Sequence, residues 1–530
     1  HLFGVHDVSV SAGTEARRNE YKGVSVTGYG WVPEFGEMFS PVETDSYIST
    51  YGNNKPTNSN SFTQVASFFG IASYCYDNRY VFNANIRSDG SNKFGSDPKY
   101  RWLPTYSFAV KWIASNEEFL KKVKWIDNLS FRGSFGIQGN VNEEQVPDMI
   151  LTMGGMDNIS EEYSSTLYKV PNDHLKWEKT RSYNLGAMAS VFKNSLMINF
   201  EYYYKKTSDA FMSKTISDVN GFNTYVVNSG TLRNRGWNVG ITATPVKTKD
   251  FNWILSGSLS KVTNTMSTLP GQETYELSDF LNGTAVVEGM PIGTFYSYKY
   301  MGLSPVDGGP MFDDWEDRKS ELVDLDKYSV YTKVLVPSGQ RDPDMTGSIN
   351  NTFNYKQWRL GISLNYSIGG STRLFRMMED FVNGYSAEAN INRDMLKAWK
   401  KPGDELTTDI PAIMGSASNG YNYYSYHWSS ASTSDVVKIA DNAWTMYDYS
   451  DLRVVSADYL KISSISLTYE FPRRILSRWK LERLALTLGA TNLYTFCNSK
   501  LRGQTPTQGG FSDIQLSDTP TYTIGLNLNF

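Results

Sequence analysis

The last eleven residues of the chain, from Pro520 to Phe530, alternate between apolar and polar side chains without interruption. The apolar members occupy every second position: Tyr522, Ile524, Leu526, Leu528 and Phe530. A period of two places such a set on one face of a β-strand. About ten alternating residues that end on an aromatic side chain are typical of the lipid-facing closing strand of a bacterial outer-membrane barrel.

The same alternation recurs along the chain as a series of β-hairpins. Three pairs of alternating segments are separated by short polar turns: 183–191 with 196–204, 237–243 with 253–259, and 346–355 with 358–368. In the segment Leu460–Phe471 the apolar phase changes at Ser463 and Ser464. One extra residue in a strand restores the apolar face, so this change of phase predicts a β-bulge.

Short and long connections alternate between these predicted strands. Short turns are predicted at 77–79, 192–195, 247–250 and 356–357, and long loops at 18–62, 138–176, 206–226, 370–456 and 495–518. Short periplasmic turns opposite long extracellular loops are the topology of an outer-membrane barrel. The alternation breaks between about 264 and 345, which predicts one more, weakly marked strand there, such as Thr284–Val287 or a neighbour.

The pattern therefore predicts an all-β, transmembrane antiparallel β-barrel that extends over residues 1–530 and has about sixteen strands in this chain. An open sheet would leave two unpaired edges in lipid, which is not viable, although closed sixteen-stranded porins do exist. The first residues, His1–Val5, lack the charged and apolar regions of an export signal. We therefore expect a larger barrel, whose first strands lie on sequence that is absent here or on another chain.

Composition supports a membrane barrel and excludes several other classes. Aromatic residues make up 14 % of the 530 residues, as expected where aromatic girdles mark two membrane interfaces. No run of 18 apolar residues is present, which excludes a transmembrane helix but not a barrel. The net charge of −4 gives no indication of nucleic-acid binding.

The residue types that carry catalysis or bind metals are scarce. The four histidines lack metal-ligand spacing, and no nucleophile or phosphate-binding motif occurs, so we expect neither an enzyme nor a bound metal or cofactor. The two cysteines, Cys75 and Cys497, are interpreted as unpaired, with a bond between them left open. Arg87 and Asp89 are expected to form an ion pair near the extracellular end of a strand.

The longest predicted loop contains the candidate ligand-binding residues. The stretch 421–428 is rich in aromatic rings, and the candidates are Tyr423, Tyr424, Tyr426 and Trp428. Flat apolar rings beside Asn and Ser suit sugars or peptide backbones. The alternative, which we favour, is that these rings pack the loop onto the barrel rim or onto a partner. Phe375–Val382 and Met395–Trp399 have helical character and are also expected to be packing elements.

Several segments occur in an order that is characteristic of one family. They are 85–95, 103–107 with 111–112, 118–120, 129–140, 177–180, 201–207, 230–236, 366–370, 402–404, 490–493 and 527–530. Taken in order over almost the whole chain, they resemble the SusC/RagA family of TonB-dependent outer-membrane transporters. Each segment is weak alone, but the ordered set is specific.

The resemblance implies a 22-stranded barrel with an internal plug, of which this chain would be the carboxy-terminal part without the plug. It implies TonB-driven import of large nutrients, oligosaccharides or peptides, across the outer membrane of a Gram-negative bacterium. The implied partners are TonB, through the missing amino-terminal part, a SusD-like surface lipoprotein, and outer-membrane lipids. A dimer of transporter–lipoprotein pairs is left open. The alternative function is a passive porin or an adhesin-like barrel without a plug.

Overall fold

The computed structural model describes most of the chain, and every structural statement below concerns the described residues. The residues outside the description are 1, 27–30, 33–37, 40–56, 95–100, 141–148, 158, 170, 173, 216–223, 269–274, 314, 323, 379–390, 416–418, 427–441, 480, 502, 509–515 and 530. Among the described residues, no helix is both long enough and apolar enough to cross a membrane.

Strands form most of the structure. In chain order they are β1 (Leu2–Phe3), β2 (His6–Ser25), β3 (Trp31–Val32), β4 (Met38–Phe39), β5 (Thr57–Tyr76), β6 (Tyr80–Ser91), β7 (Trp102–Ile113), β8 (Ile126–Asn140), β9 (Ile150–Met156), β10 (Tyr163–Lys169), β11 (Glu178–Val191), β12 (Leu196–Thr215), β13 (Thr224–Lys247), β14 (Phe251–Thr268), β15 (Thr294–Ser297), β16 (Tyr300–Leu303), β17 (Pro310–Phe312), β18 (Val336–Gln340), β19 (Met345–Tyr355), β20 (Trp358–Ile368), β21 (Ser371–Arg373), β22 (Val454–Ser456), β23 (Tyr459–Glu470), β24 (Arg483–Cys497) and β25 (Thr521–Asn529).

Fifteen of these strands make one antiparallel sheet. Its order is β1-β2-β5-β6-β7-β8-β11-β12-β13-β14-β19-β20-β23-β24-β25. Because β1 has only two residues, fourteen long strands form the wall. Each long strand pairs with the next one in this order, which is the up-and-down topology of a membrane barrel.

The register keeps one apolar face continuous across the sheet. At the last hairpin Leu526 lies opposite Leu486, and on the next pair of strands Tyr469 also lies opposite Leu486. Directly opposed residues share a face. The apolar face is exposed to solvent in the described chain: Ile524 is 80 % and Leu526 62 % exposed. A continuous exposed apolar belt is stable only in lipid.

An aromatic band marks the end of this apolar face that adjoins the short turns. Ring pairs link neighbouring strands there: Tyr76 with Tyr80, Trp112 with Phe131, Trp253 with Phe353, and Trp358 with Tyr469. The ring centroids lie 4.7–6.4 Å apart. This band corresponds to the aromatic girdle expected from the composition.

The short and long connections alternate around the whole sheet, and this corrects one prediction. The strand predicted at Thr284–Val287 is wrong, because these residues form an irregular segment and β14 pairs directly with β19. The described residues between β14 and β19, which begin at 275, therefore belong to a single excursion on the long-loop side. The expected total of about sixteen strands exceeds the fifteen found, and this segment is one source of the difference.

Two local predictions are confirmed. The ladder skips Ser463 on both sides of β23: Ser363 lies opposite Ser464 whereas Leu364 lies opposite Ile462. This skip is the predicted β-bulge. Arg87 and Asp89 form an ion pair with Nε 2.6 Å from Oδ1, at the long-loop end of β6.

Candidate functional site

The opposite face of the wall carries many small polar side chains. Its members hydrogen-bond across neighbouring strands: Ser258 with Ser348 at 2.9 Å, Thr468 with Thr487 at 3.0 Å, Thr180 with Thr207 at 2.7 Å, and Asn350 with Ser363. Several serines on this face are buried, including Ser130, Ser182 and Ser190. A polar interior behind an apolar exterior is the arrangement of a barrel that encloses water or a polar domain.

Two long excursions on the same side of the sheet pack together into a module. The described segments 275–344 and 371–457 form this loop module. Its helices are α1 (Leu277–Leu281), α2 (Lys327–Val334), α3 (Asn419–Tyr426) and α4 (Ala443–Asp448), and a further helix, α5 (Arg473–Trp479), lies in the connection from β23 to β24. Asp326 caps α2 by accepting from the amide of Ser329 at 2.9 Å, and Asn442 caps α4 in the same way through Thr445.

The loop module contains the largest apolar core of the described chain. Phe280, Met378 and Trp444 are fully buried in it. The barrel wall itself contains few buried apolar residues, because one of its faces is lipid-facing and the other is polar. Burial therefore concentrates in the loops, and a shared core of this size makes their described parts one folded body.

A buried arginine ties the two excursions together. Arg373, at the end of β21, is 0 % exposed and donates to the carbonyl oxygens of Leu281, Tyr296 and Ser450 at 2.9–3.2 Å, and to Ser297 Oγ at 3.0 Å. Burial lowers the pKa of its guanidinium to about 10, so the group stays charged at neutral pH. Its planar fork spreads five donors over three nitrogens, whereas a lysine ammonium has three donors on one nitrogen.

A buried carboxylate holds the next part of the same excursion. Asp448, at the end of α4, is 0 % exposed and accepts from the amides of Met377 and Met378 at 2.7–3.0 Å. Arg453 donates from Nη2 to the carbonyl oxygen of Phe375 at 2.6 Å, while its Nε lies 3.9 Å from Asp448. These contacts fix residues 373–378 against α4.

The predicted aromatic residues fall in different environments. Tyr424 is 5 % exposed, packs in the module core and donates to Asp307 Oδ1 at 2.9 Å. Desolvation raises the pKa of its phenol to about 12. Tyr423 is 53 % exposed and meets Tyr424 edge-on at 5.0 Å. Tyr426 ends α3, with nothing described of its side chain, and Trp428 lies outside the described residues.

The other predicted packing elements lie at the same module. Arg393–Lys397 is a 3₁₀ helix, and Met395 and Trp399 are buried. Residues 374–378 are irregular, and the rest of the predicted helix to Val382 lies outside the described residues. A cavity of about 640 Å³ lies beside Met395, Trp399 and Met414, and a second one, of about 600 Å³, lies beside Phe375, Arg453 and Gln504.

Sequence reasoning missed the buried polar residues Arg373, Asp448, Arg453 and Gln504. The available signal was a charge flanked by apolar residues, as at Arg373 before Leu374 and Phe375. A solvated surface charge gives the same signal, so the pattern alone does not separate the two cases. Among the described residues, no group of three or more His, Cys, Asp and Glu side chains could hold a metal ion.

A wall of long antiparallel strands, apolar outside and polar inside, with a folded module on its long-loop side, defines the class of outer-membrane transport barrels. The chain belongs to the TonB-dependent receptor-like β-barrel family, whose model matches residues 7–375. The predicted SusC/RagA resemblance is confirmed by the relatives described next.

Two curated relatives and one solved structure show how far the similarity extends. The chain is 24 % identical over its whole length to TonB-dependent receptor P3 of Formosa agariphila, covering 51 % of that protein. It is 26 % identical over its whole length to TonB-dependent receptor SusC of Bacteroides thetaiotaomicron, covering 49 %. The RagAB peptide transporter structure superposes with a TM-score of 0.77 at 21 % identity, over all of this chain and 54 % of that one, which shows the shared fold. The chain spans about half the length of the curated relatives it matches.

Proposed function

We propose that the chain is the barrel portion of a TonB-dependent importer in the outer membrane of a Gram-negative bacterium. The cargo is a large nutrient, an oligosaccharide or a peptide, and the activity is transport without catalysis. The observation that carries the proposal is the continuous two-faced wall, in which opposed Leu486 and Leu526 face lipid while Ser258 and Ser348 face inward. Family membership supports energy-coupled transport.

The long-loop side is the extracellular side in this proposal, and the loop module forms its rigid rim. A SusD-like surface lipoprotein is the partner that would dock there, and TonB would act on the part of the protein beyond this chain. The name of the RagAB peptide transporter, the structural relative with a TM-score of 0.77, supports a peptide cargo; membership of the SusC/RagA family leaves oligosaccharides equally open. The two edges of the sheet, at β1 with the rest of β2 beyond it and at β25, would be joined by further strands of a 22-stranded barrel.

The proposal keeps Tyr423 as the aromatic residue that contacts cargo. The ring of Tyr423 is half exposed. The ring of Tyr424 is buried in the module core and packs edge-on against the ring of Tyr423. Tyr426 and Trp428 remain predictions for the same role.

Uptake by living cells tests the function. Cells with the intact gene and cells lacking it are fed fluorescent peptides and oligosaccharides, with and without a protonophore. Energy-coupled import predicts uptake that requires both the gene and the proton gradient. Uptake that persists after uncoupling would instead establish the passive porin. The Tyr423→Ala variant should reduce uptake, whereas Tyr163→Ala, which removes a ring that is 69 % exposed in a different loop, should not.

A further inference from the structure

A cationic groove lies between the two carboxy-terminal long loops. Its volume is about 600 Å³, and Phe375, Arg393, Asp394, Arg453, Lys500 and Gln504 are among its lining residues. We call it the Arg453 groove. Gln504 joins its two sides by accepting from the amide of Phe375 at 3.0 Å and donating to the carbonyl oxygen of Arg373 at 2.7 Å.

Of the two buried arginines at the Arg453 groove, Arg453 lines it, whereas Arg373 lies behind the lining and is held by its own hydrogen bonds. Arg373 and Arg453 are 0 % and 8 % exposed, and Asp448, also 0 % exposed, is the one buried carboxylate among the described residues of the loop module. Asp448 is largely occupied by the amides of Met377 and Met378. Its distance of 3.9 Å from Arg453 Nε is too long for a hydrogen bond, and that nitrogen has no hydrogen-bond partner among the described residues.

A buried charge without a counter-charge is costly in free energy, so the excess positive charge of the two arginines needs compensation. Aromatic faces supply part of it: Arg373 lies 5.3 Å from the ring centre of Tyr449, and Arg453 lies 5.6 Å from that of Tyr447. A neighbouring carboxylate would supply much more, because the interaction of two full charges is stronger than that of a charge with a ring. No second carboxylate of the described module is buried there.

The rim of the groove adds two further positive charges. Arg393 and Lys500 are both exposed, and neither forms an ion pair with another described residue. Asp394 is the one acid among the described residues that line the groove, and it is already paired with Lys397 Nζ at 3.0 Å. The charge seen by a group entering the groove is therefore positive at the rim and positive at Arg453.

We propose that the Arg453 groove binds a carboxylate of the imported oligomer, so that the transporter selects acidic cargo. This inference rests on the proposed function and narrows its substrate class. Phe375 supplies an apolar surface beside the cations, as a sugar ring or a peptide side chain requires. Carboxylates occur both in acidic peptides and in uronic-acid oligosaccharides, and the experiment separates these two sources.

Binding to the purified full-length receptor tests the inference. Isothermal titration calorimetry compares tetraglutamate with tetraglutamine, and tetragalacturonate with its fully methyl-esterified form. We expect at least one acidic probe to bind roughly tenfold more tightly than its neutral match, with the preference shrinking as salt is raised. The acidic probe that shows the preference identifies the source of the carboxylate.

The variant Arg393→Gln/Lys500→Gln should remove most of that preference, because both residues are exposed and their loss leaves the core intact. Lys401→Gln is the matched control, since it removes an exposed cation of the same module that does not line the groove. Equal binding of acidic and neutral probes, or an equal loss in the control, would overturn the inference. Protonophore-sensitive uptake of the neutral probes in cells would show that the transport proposal survives such a result.

Discussion

Gln504 donates from its side-chain amide to the carbonyl oxygen of Arg373 at 2.7 Å, which joins the last long loop to the loop module. The same side chain accepts from the amide of Phe375 at 3.0 Å. Gln504 is 5 % exposed, so both backbone groups depend on it in place of water. One glutamine thus attaches the connection between β24 and β25 to the rest of the long-loop side.

Replacing Gln504 by alanine should release this attachment. Two buried backbone groups lose their partner, which costs about 1–3 kcal/mol each. We expect faster hydrogen exchange at the Phe375 amide and easier proteolysis of residues 498–508, with the barrel unchanged. Gln357→Ala, in the exposed two-residue turn between β19 and β20, is the control and should change neither. Unchanged exchange at Phe375 would contradict the bridging role.

Arg373→Lys should destabilise the loop module although it keeps the charge. The single ammonium nitrogen cannot occupy both the Nη1 position that bonds Ser450 and the Nη2 position that bonds Leu281 and Tyr296, so buried carbonyl oxygens are left without donors. The expected loss is about 3 kcal/mol or more. Hydrogen exchange should rise across both excursions, in segments 275–344 and 371–457, because Arg373 connects them. Arg359→Lys, on the barrel wall, is the control, and an effect confined to one excursion would argue against the connecting role.

The loop module should lose stability as the pH rises above 10. Burial raises the pKa of Tyr296, Tyr328 and Tyr424 to about 12, whereas an unfolded tyrosine ionises near 10. The unfolded state therefore releases these protons first, so stability is full below pH 10 and is lost between pH 10 and about 12. The lowered pKa of Arg373 makes the folded module more stable as the pH rises through this range. It is a single group, however, whereas three tyrosines have the opposite effect.

Tyrosinate absorbance and proteolysis, followed together, measure this alkaline transition. The module tyrosines should ionise late, in step with the opening of the module. Tyr296→Phe should reduce the proton release coupled to opening by about one. Ionisation of all tyrosines near pH 10 with the module still resistant to protease would refute the assignment.

The sequence predicts the wall well because its signal is local. Alternation reports the face of each residue directly, as at Leu526 and Asn527, and the phase change at Ser463 was sufficient to locate a bulge. The excursion between β14 and β19 could not be predicted in the same way. Its short strands are held by contacts with residues more than a hundred positions away, such as Lys299 with Asp451 at 2.6 Å, and these contacts leave no periodic pattern.

The candidate site, too, was predictable only where its signal is local in the sequence. An aromatic-rich stretch at 421–428 was visible in the sequence, but the separation of exposed Tyr423 from buried Tyr424 depends on the distant Asp307 and Trp444. Arg373 was not identified because nothing local distinguishes a buried arginine from a solvated one. Its environment is assembled from residues 281, 296–297 and 450.

Leu526→Arg should destabilise the barrel, whereas Asn527→Arg should not. The two residues are neighbours near the middle of β25, and the alternation places them on opposite faces. An arginine on the lipid face at mid-membrane costs about 2–4 kcal/mol, and one on the interior face stays hydrated. Urea unfolding in liposomes, followed by tryptophan fluorescence, measures the difference. Equal effects of the two variants would contradict the assignment of the faces.

Deleting Ser463 should be tolerated better than deleting Ser466. Loss of the bulge residue turns 460–467 into an unbroken alternation, so Leu467 and Tyr469 keep their lipid-facing positions opposite Leu360 and Trp358. Loss of Ser466 has two outcomes: if the bulge stays, one end of β23 exchanges its faces, and if the bulge is lost, Ile465 turns to the polar side and Ser464 to the lipid side. We expect a change within about 1 kcal/mol for the first deletion and a loss of about 2 kcal/mol or more for the second. The heat-modifiable electrophoretic shift of the folded barrel measures both variants. Equal folding yields would show that the bulge does not set the register of this strand.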